Sequence, residues 1–466
     1  GVVGVDAMLR QKGSTPNGLS KAIEVGSLGV LWAFLRRGGG AVLHEKFGPH
    51  DATLLHHVAS KKWSLDLVRG IIRMGGNDVV MAMDSHGQTP LHVALKEGGH
   101  EKIIDAMIRA GGPRVILAES NRKINTLHAL FNRKDADRIA TKLLRICGVE
   151  LLNKRNDVHP DAFICAIRCE KWSLANAIID FGGRITALKK SRLGVSALCY
   201  AVQSQNLQLT KKILHFGGSD VLSPEHFGGF NPLYIAVELC DVNMASFLVK
   251  NGGTHLLFLQ ENGMNAIHMA TVYGFRKMVL MLLKVGGLAL AKTRNAMGAS
   301  PLFLALRECH VEIAGDIFNI VKNDLRDLDR TKSGMTILHA ALRLGCVHMT
   351  KNILKYTHRE FLFLQSIDGS TALHFAAEFG NLSIILEILS CGGRALALIQ
   401  NQSGETALHV AIRFGATDIF HSLVLCGGRK LISIVDKNGQ SPLQVALLSK
   451  NNTTIEAYYF SIGKKK

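Results

Sequence analysis

Proline is scarce in this 466-residue chain, at 9 residues, and aromatic side chains make up 6% of it. So few prolines exclude long rigid Pro-rich linkers. So few aromatics weigh against a surface that stacks single-stranded bases. Long hydrophobic runs are missing as well. The densest, MVLMLL at 278–283, is closed by Lys284 and then Gly286-Gly287, far short of the roughly 18–20 apolar residues a membrane helix needs. The opening residues GVVGVDAMLRQKG lack a basic stretch followed by an apolar core, so no signal peptide is expected. The chain opens on Gly rather than Met, which leaves a lost targeting segment open.

Motifs that carry chemistry are also missing. The chain has no CxxC, no HExxH, no P-loop, no Rossmann-type glycine fingerprint and no G-x-S-x-G. HEKF at 44–47 lacks a second His, and the glycines at 38–40 lack the Lys and Ser/Thr of a phosphate cradle. The 9 Cys are scattered, the closest pair being Cys165 and Cys169. They are expected to be small buried hydrophobes in a reducing compartment, cytoplasm or nucleus. No catalytic residue, cofactor, metal site or small-molecule substrate is expected.

What the chain does have is 46 Gly, 47% hydrophobic residues, a mean hydropathy of +0.16 and a period. Leu19, Leu55, Leu91, Leu127, Phe163, Leu198, Leu233, Ile267, Leu302, Leu338, Leu373, Leu408 and Leu443 follow one another at steps of 34, 35 or 36. Thirteen anchors at a near-constant spacing predict a solenoid of stacked units. Two residues before each anchor stands Asn17, Thr53, Thr89, Asn125, Asp161, Ser196, Asn231, Asn265, Ser300, Thr336, Thr371, Thr406 or Ser441. All can accept from the free N–H groups of a first helical turn. Pro90, Pro232, Pro301 and Pro442 follow four of them, where a missing N–H costs nothing.

Three residues past the anchor, Ala recurs in all units except those anchored at Leu55 and Leu127, which lets helices approach closely. Gly26, Gly98, Gly274, Gly345, Gly380 and Gly415, seven past it, are placed to end a short helix. A second apolar-periodic helix follows, and nine units then close on Gly-Gly, as at 182-183, 392-393 and 427-428.

GQTPLHVALKEGG (87–99), GSTALHFAAEFGNL (369–382) and GETALHVAIRFGA (404–416) resemble the ankyrin repeat. The resemblance covers nearly the whole chain and implies an all-α ankyrin-repeat solenoid of helix-turn-helix units with connecting loops or hairpins. The expectation is one continuous array over 1–466, with a C-terminal cap and basic tail at 453–466. The period exceeds the family's usual ~33 residues. The excess falls after Gly-Gly, in apolar groups such as LALAKTRN and ALALIQNQ, and reads equally as an extra helical turn or hairpin arm and as a longer loop. The early units lack the Gly before the cap (Thr15, Asp51, Lys123, His159), and the units anchored at Leu302 and Leu338 lack Gly-Gly. Longer helices, and a bend or special surface, are expected there.

His56, His92, His128, His268, His339, His374 and His409 each follow their anchor. Metal or acid–base chemistry needs groups converging on one point, whereas these are spread along the stack at roughly 10 Å per unit. The resemblance implies that such a His hydrogen-bonds between the hairpin and neighbouring backbone. Thr89, His92, Thr371, His374, Thr406 and His409 are thus expected to be structural residues.

Charge is the unusual feature: 55 Lys+Arg against 37 Asp+Glu, net +18. Residues 114–212 hold 18 basic and 8 acidic side chains, so +10 of that excess falls in this stretch. Arg122, Lys123, Arg133, Lys134, Lys154, Arg155, Lys189, Lys190, Arg192, Lys211 and Lys212 form a candidate surface for an anionic partner: an acidic protein, RNA or a membrane surface. A solvated basic face is the competing reading, and it is the favoured one for the terminal Lys464-Lys465-Lys466. The function expected is a non-enzymatic scaffold that binds a protein partner on a concave face. The alternatives are a structural subunit of an RNA-containing or membrane-associated assembly, and the ankyrin module of a longer enzyme, channel or effector.

Overall fold

The computed structural model describes residues 15–38, 40–60, 63–153, 161–223, 230–327, 330–448 and 452–461. Lys154, Arg155, His159 and the 464–466 lysines lie outside them. The chain divides into two compact units, Gly1–Pro232 and Leu233–Lys466. Among the described residues each is built of α- and 3-10 helices, with only the isolated bridges Phe47–Ala52, Lys190–Ser196 and Glu261–Met264 as β pairing. The fold is an all-α helical-repeat solenoid.

The repeat anchored at Leu373 shows how the sequence builds it. Thr371, in extended conformation, precedes the helix Ala372–Phe379, and Gly380 ends that helix in the left-handed region at φ 69°. Asn381 accepts from the Ile384 amide and starts the helix Leu382–Ala397. Inside it Gly393 (φ 64°, ψ −161°) reverses the backbone in a region open essentially to Gly alone. Gly392 is required for a different reason: a Cβ there would sit 2.4 Å from Leu396 Cδ2. The first Gly of the pair makes room and the second turns the chain. Beyond the turn comes one further helical turn, here through Ala397, with Leu396 and Ala397 buried. The residues that lengthen the period are therefore helical, not loop, and they pack.

Every anchor from Leu19 to Leu408 is fully buried. Each such side chain contributes about 2 kcal/mol, whereas an exposed ion pair gives under ~1 kcal/mol. The apolar column therefore decides stability, and the ion pairs between repeats (Arg138–Glu101, Arg184–Asp220, Lys292–Asp324) set register. Leu443 stays partly exposed.

Hairpin tips of successive repeats are tied through the backbone. In the C-terminal unit the amides of Ala296, Lys332, Ile367, Gln402 and Lys437 donate to the carbonyls of Gly263, Met297, Ser333, Asp368 and Ser403. Seven tips are pinned by a small polar residue seven before the anchor. Asp84, Asn295, Asn401 and Asp436 accept from two amides apiece, and Ser120, Ser191 and Thr331 accept from one.

Four expectations are corrected. The first helix begins at Thr15, so Asn17 lies within it rather than capping it; Pro16 occupies the first turn, where its missing N–H costs no intrahelical hydrogen bond. The repeats without Gly-Gly do not have longer helices: Val311–Val321 and Val347–Tyr356 are 11 and 10 residues. Lacking a Gly-only reversal, they turn through the 3-10 segments Lys322–Asp327 and Arg359–Phe363. In the repeat anchored at Leu127 the first helix shrinks to the 3-10 turn His128–Leu130, where bulky Leu130 stands in place of Ala. Of the cysteines, Cys199 is buried, but Cys169, Cys240, Cys309 and Cys391 are exposed. Cys240 and Cys309 occupy the left-handed turn position at φ 54° and 63°, where other repeats have Gly, which places them at an outer corner.

Candidate partner-binding face and the histidine brace

Six of the seven histidines share one geometry. The backbone amides of Thr53, Thr89, Asn265, Thr336, Thr371 and Thr406 point at Nδ1 of His56, His92, His268, His339, His374 and His409, at 3.1–3.3 Å. An amide can only donate, so Nδ1 accepts and the proton sits on Nε2. That Nε2–H donates onward to a carbonyl of the following repeat: Gln88 from His56 (2.8 Å), Glu405 from His374 (3.1 Å) and Gln440 from His409 (3.3 Å). His268 reaches the Thr293 carbonyl instead, at 3.2 Å. One neutral ring thus caps its own helix and braces the next repeat.

Burial drives all six toward neutrality. His92, His268, His339 and His374 are lowered to about 4, and His56 and His409 are lowered for the same reason. With each Nδ1 committed to the helix start of its own repeat, the rings do not converge. Among the described residues no three His, Cys, Asp or Glu are grouped to hold a metal ion. His128 departs from the pattern. Asn125 Oδ1 already accepts from the Leu127 and His128 amides, and it lies 2.7 Å from His128 Nδ1, so there Nδ1 carries the proton.

Other residue types do the same work where His is missing, which the sequence reading missed. Cys199 Sγ donates to the Phe230 carbonyl at 3.1 Å, the position that accepts from His in other repeats. Tyr234 Oη accepts from the Glu261 amide at 3.3 Å. Gln444 Oε1 accepts from the Ser441 amide at 2.7 Å.

The candidate basic surface separates into braces and exposed cations. Arg133 does not face a partner: its side chain is 6% exposed. Nε and Nη2 grip Asp135 at 2.9 Å each, and Nη1 donates to the Ala94 and Gly99 carbonyls. It fills the corner left by the shortened helix after Leu127. The Arg133 guanidinium holds the Asp135 carboxyl below the usual carboxylate range. Lys189 is likewise enclosed, donating to the Leu152 carbonyl at 2.7 Å and lying 3.1 Å from Asp161. Lys212 pairs with Asp180 at 2.8 Å and Lys123 with Glu119 at 3.8 Å. Arg122, Lys134, Lys190, Arg192 and Lys211 are exposed. Burying Arg133 and Lys189 costs the patch charge that composition alone assigns to the surface.

One concavity lies in the C-terminal unit, at the two repeats without Gly-Gly. A cavity of about 480 Å³ is lined by hairpin residues Met297, Ala299, Thr331, Ser333 and Met335 and by first-helix residues including Phe303, Arg307, Arg343 and Leu344. Hairpin tips and the ends of first helices thus share one face. No helix among the described residues is long and apolar enough to cross a membrane.

Comparison with known proteins agrees with this geometry. A model described as ankyrin repeats in three copies matches residues 198–292, 314–397 and 350–433, and a single-repeat ankyrin model matches 86–118. These spans do not include 119–197, which holds the shortened helix and most of the basic stretch. A Dictyostelium discoideum protein named NAD-dependent deacetylase sir2B is 23% identical over 156 residues, 31% of this chain and 20% of that protein.

Proposed function

Because the chain belongs to the ankyrin-repeat family, we propose that it is a non-enzymatic scaffold binding a protein partner on the concave face made by hairpin tips and first helices. The observation that carries this reading is the 480 Å³ cavity, whose lining comes from those two elements. The face is held by backbone bonds between tips and by neutral histidines, so little ordering entropy remains to be lost when a partner arrives. A reducing compartment, cytoplasm or nucleus, fits the free thiols. The test is affinity purification from the native source followed by amide exchange on the complex. Protection concentrated on hairpins and first helices is expected; protection confined to the second helices would refute the reading.

A second reading makes the array one module of a longer enzyme. The match to one fifth of a protein named as a deacetylase supports it, and sequencing the full transcript tests it. The exposed Arg122 and Lys134 keep a third reading in view, docking to RNA or to a membrane surface.

A further inference from the structure

One column of the repeat changes character along the chain. Six residues past the anchor, the described residues of the N-terminal unit are Val25, Glu97, Arg133, Cys169 and Ser204. In the C-terminal unit the same position holds Leu239, Tyr273, Glu308, Leu344, Phe379 and Phe414. Each sits at the outer end of a first helix. Tyr273, Phe379 and Phe414 are 51%, 46% and 54% exposed. Core packing does not account for apolar side chains in the open at a fixed register; a contiguous exposed apolar patch marks an interaction site.

The single acidic member of this column in the C-terminal unit, Glu308, is engaged by Arg307 at 2.5 Å. Beside it open the 480 Å³ cavity and Arg343, which is exposed and has no ion pair among the described residues. Lys332, between the lining residues Thr331 and Ser333, is exposed and likewise has none. The column therefore offers apolar anchors on both sides of a pocket whose unneutralised charge is positive. Resting on the scaffold reading above, we infer that this column is the docking site for an acidic peptide segment of a partner. Its carboxylates would meet Arg343 and Lys332, and its large apolar side chains would enter the cavity and cover Phe379 and Phe414. Charge complementarity selects that partner: a basic segment would be repelled by Arg343, and a purely apolar one would leave it desolvated and unpaired.

The test is selection of a phage-displayed random dodecapeptide library on the full chain. Fluorescein-labelled enriched peptides are then titrated against the chain and its variants by anisotropy. Enrichment of peptides combining Asp or Glu with a large apolar residue is expected. Joint Phe379→Ser and Phe414→Ser should weaken them by about 30-fold, the weight of a central aromatic anchor. Arg343→Glu should shift selection toward Lys- and Arg-containing peptides. These side chains are exposed, so an unchanged thermal midpoint checks that each variant folds. Enriched peptides without acidic residues, or binding indifferent to both changes, overturns the inference. So does a concentration-dependent dimer abolished by the Phe variants, which would make a second copy the occupant. Peptides displaced instead by Lys96→Glu with Arg168→Glu, on first helices of the N-terminal unit, leave the scaffold reading standing while this site falls. No enrichment at all counts against both.

Discussion

His374 Nε2 lies 3.1 Å from the carbonyl oxygen of Glu405, one repeat further on, while its Nδ1 accepts from the amide of Thr371. One side chain closes a helix start and a repeat interface together. His374→Ala leaves the Thr371 amide without its acceptor and removes one of two donors from the Glu405 carbonyl, which keeps the Asn401 amide, and a loss of about 2 kcal/mol is expected, the sum of one cap and one buried hydrogen bond. His409→Ala is expected to act alike. Urea unfolding should move while the affinity for a captured partner changes little. Lost binding with an unchanged urea midpoint would show that the ring touches the partner instead.

The same rings make stability depend on pH. Folded His92, His268, His339 and His374 take up protons only near about 4, because burial penalises the charged ring. In the unfolded chain they do so near about 6.5. Between those values the unfolded state binds more protons, so stability falls as pH falls. The contribution is complete above about 6.5 and is lost progressively down to about 4, at up to ~1.4 kcal/mol per pH unit for each ring. Urea midpoints across that window measure it. His374→Gln is the control, since Gln444 already fills this role without titrating; the variant should keep most of the stability and flatten the slope. A slope unchanged after all four rings are replaced would place the titration elsewhere.

The period, the caps and the Gly-Gly turns were legible because each comes from a residue type with one local job. The brace was only half legible. Cys199 and Tyr234 do in their repeats what His does elsewhere, but they look unlike His, and only the geometry of the facing carbonyl or amide shows the equivalence. Arg133 was misread because a charge count says nothing about burial; its neighbour Asp135 was the available signal. The exposed column ending in Phe379 and Phe414 passed unnoticed because apolar residues at helical spacing read as core. Only comparing the same register across repeats separates it from the buried anchors.

Left-handed positions without Gly yield a further prediction. Gln205 sits at φ 54° and Glu170 at φ 55°, where Gly380 and Gly415 stand in other repeats. A non-Gly residue there costs about 1 kcal/mol. Gln205→Gly should therefore stabilise the chain by about that amount, read as a rise in urea midpoint with an unchanged slope. Gly393→Ala should do the reverse, losing roughly 1–3 kcal/mol, because φ 64° with ψ −161° is closed to a residue with a Cβ. A neutral Gln205→Gly would mean that the turn relaxes in solution.

The basic stretch divides into residues whose loss should unfold and residues whose loss should unbind. Arg133→Ala takes the side-chain donor from the Gly99 carbonyl, removes a second donor from the Ala94 carbonyl and frees Asp135, so the thermal midpoint should drop, with a cost of about 2–3 kcal/mol. Arg122→Glu with Lys134→Glu removes only exposed charge and should leave the midpoint in place. Binding of a single-stranded RNA across about 50 to 200 mM salt then decides what that charge does. If the stretch docks on phosphates, the log–log salt slope of the parent chain should be steep, and the double reversal should flatten it by about 2, one for each cation removed. An unchanged slope would assign the excess charge to solvation, leaving the C-terminal unit's apolar face as the surface that partners read.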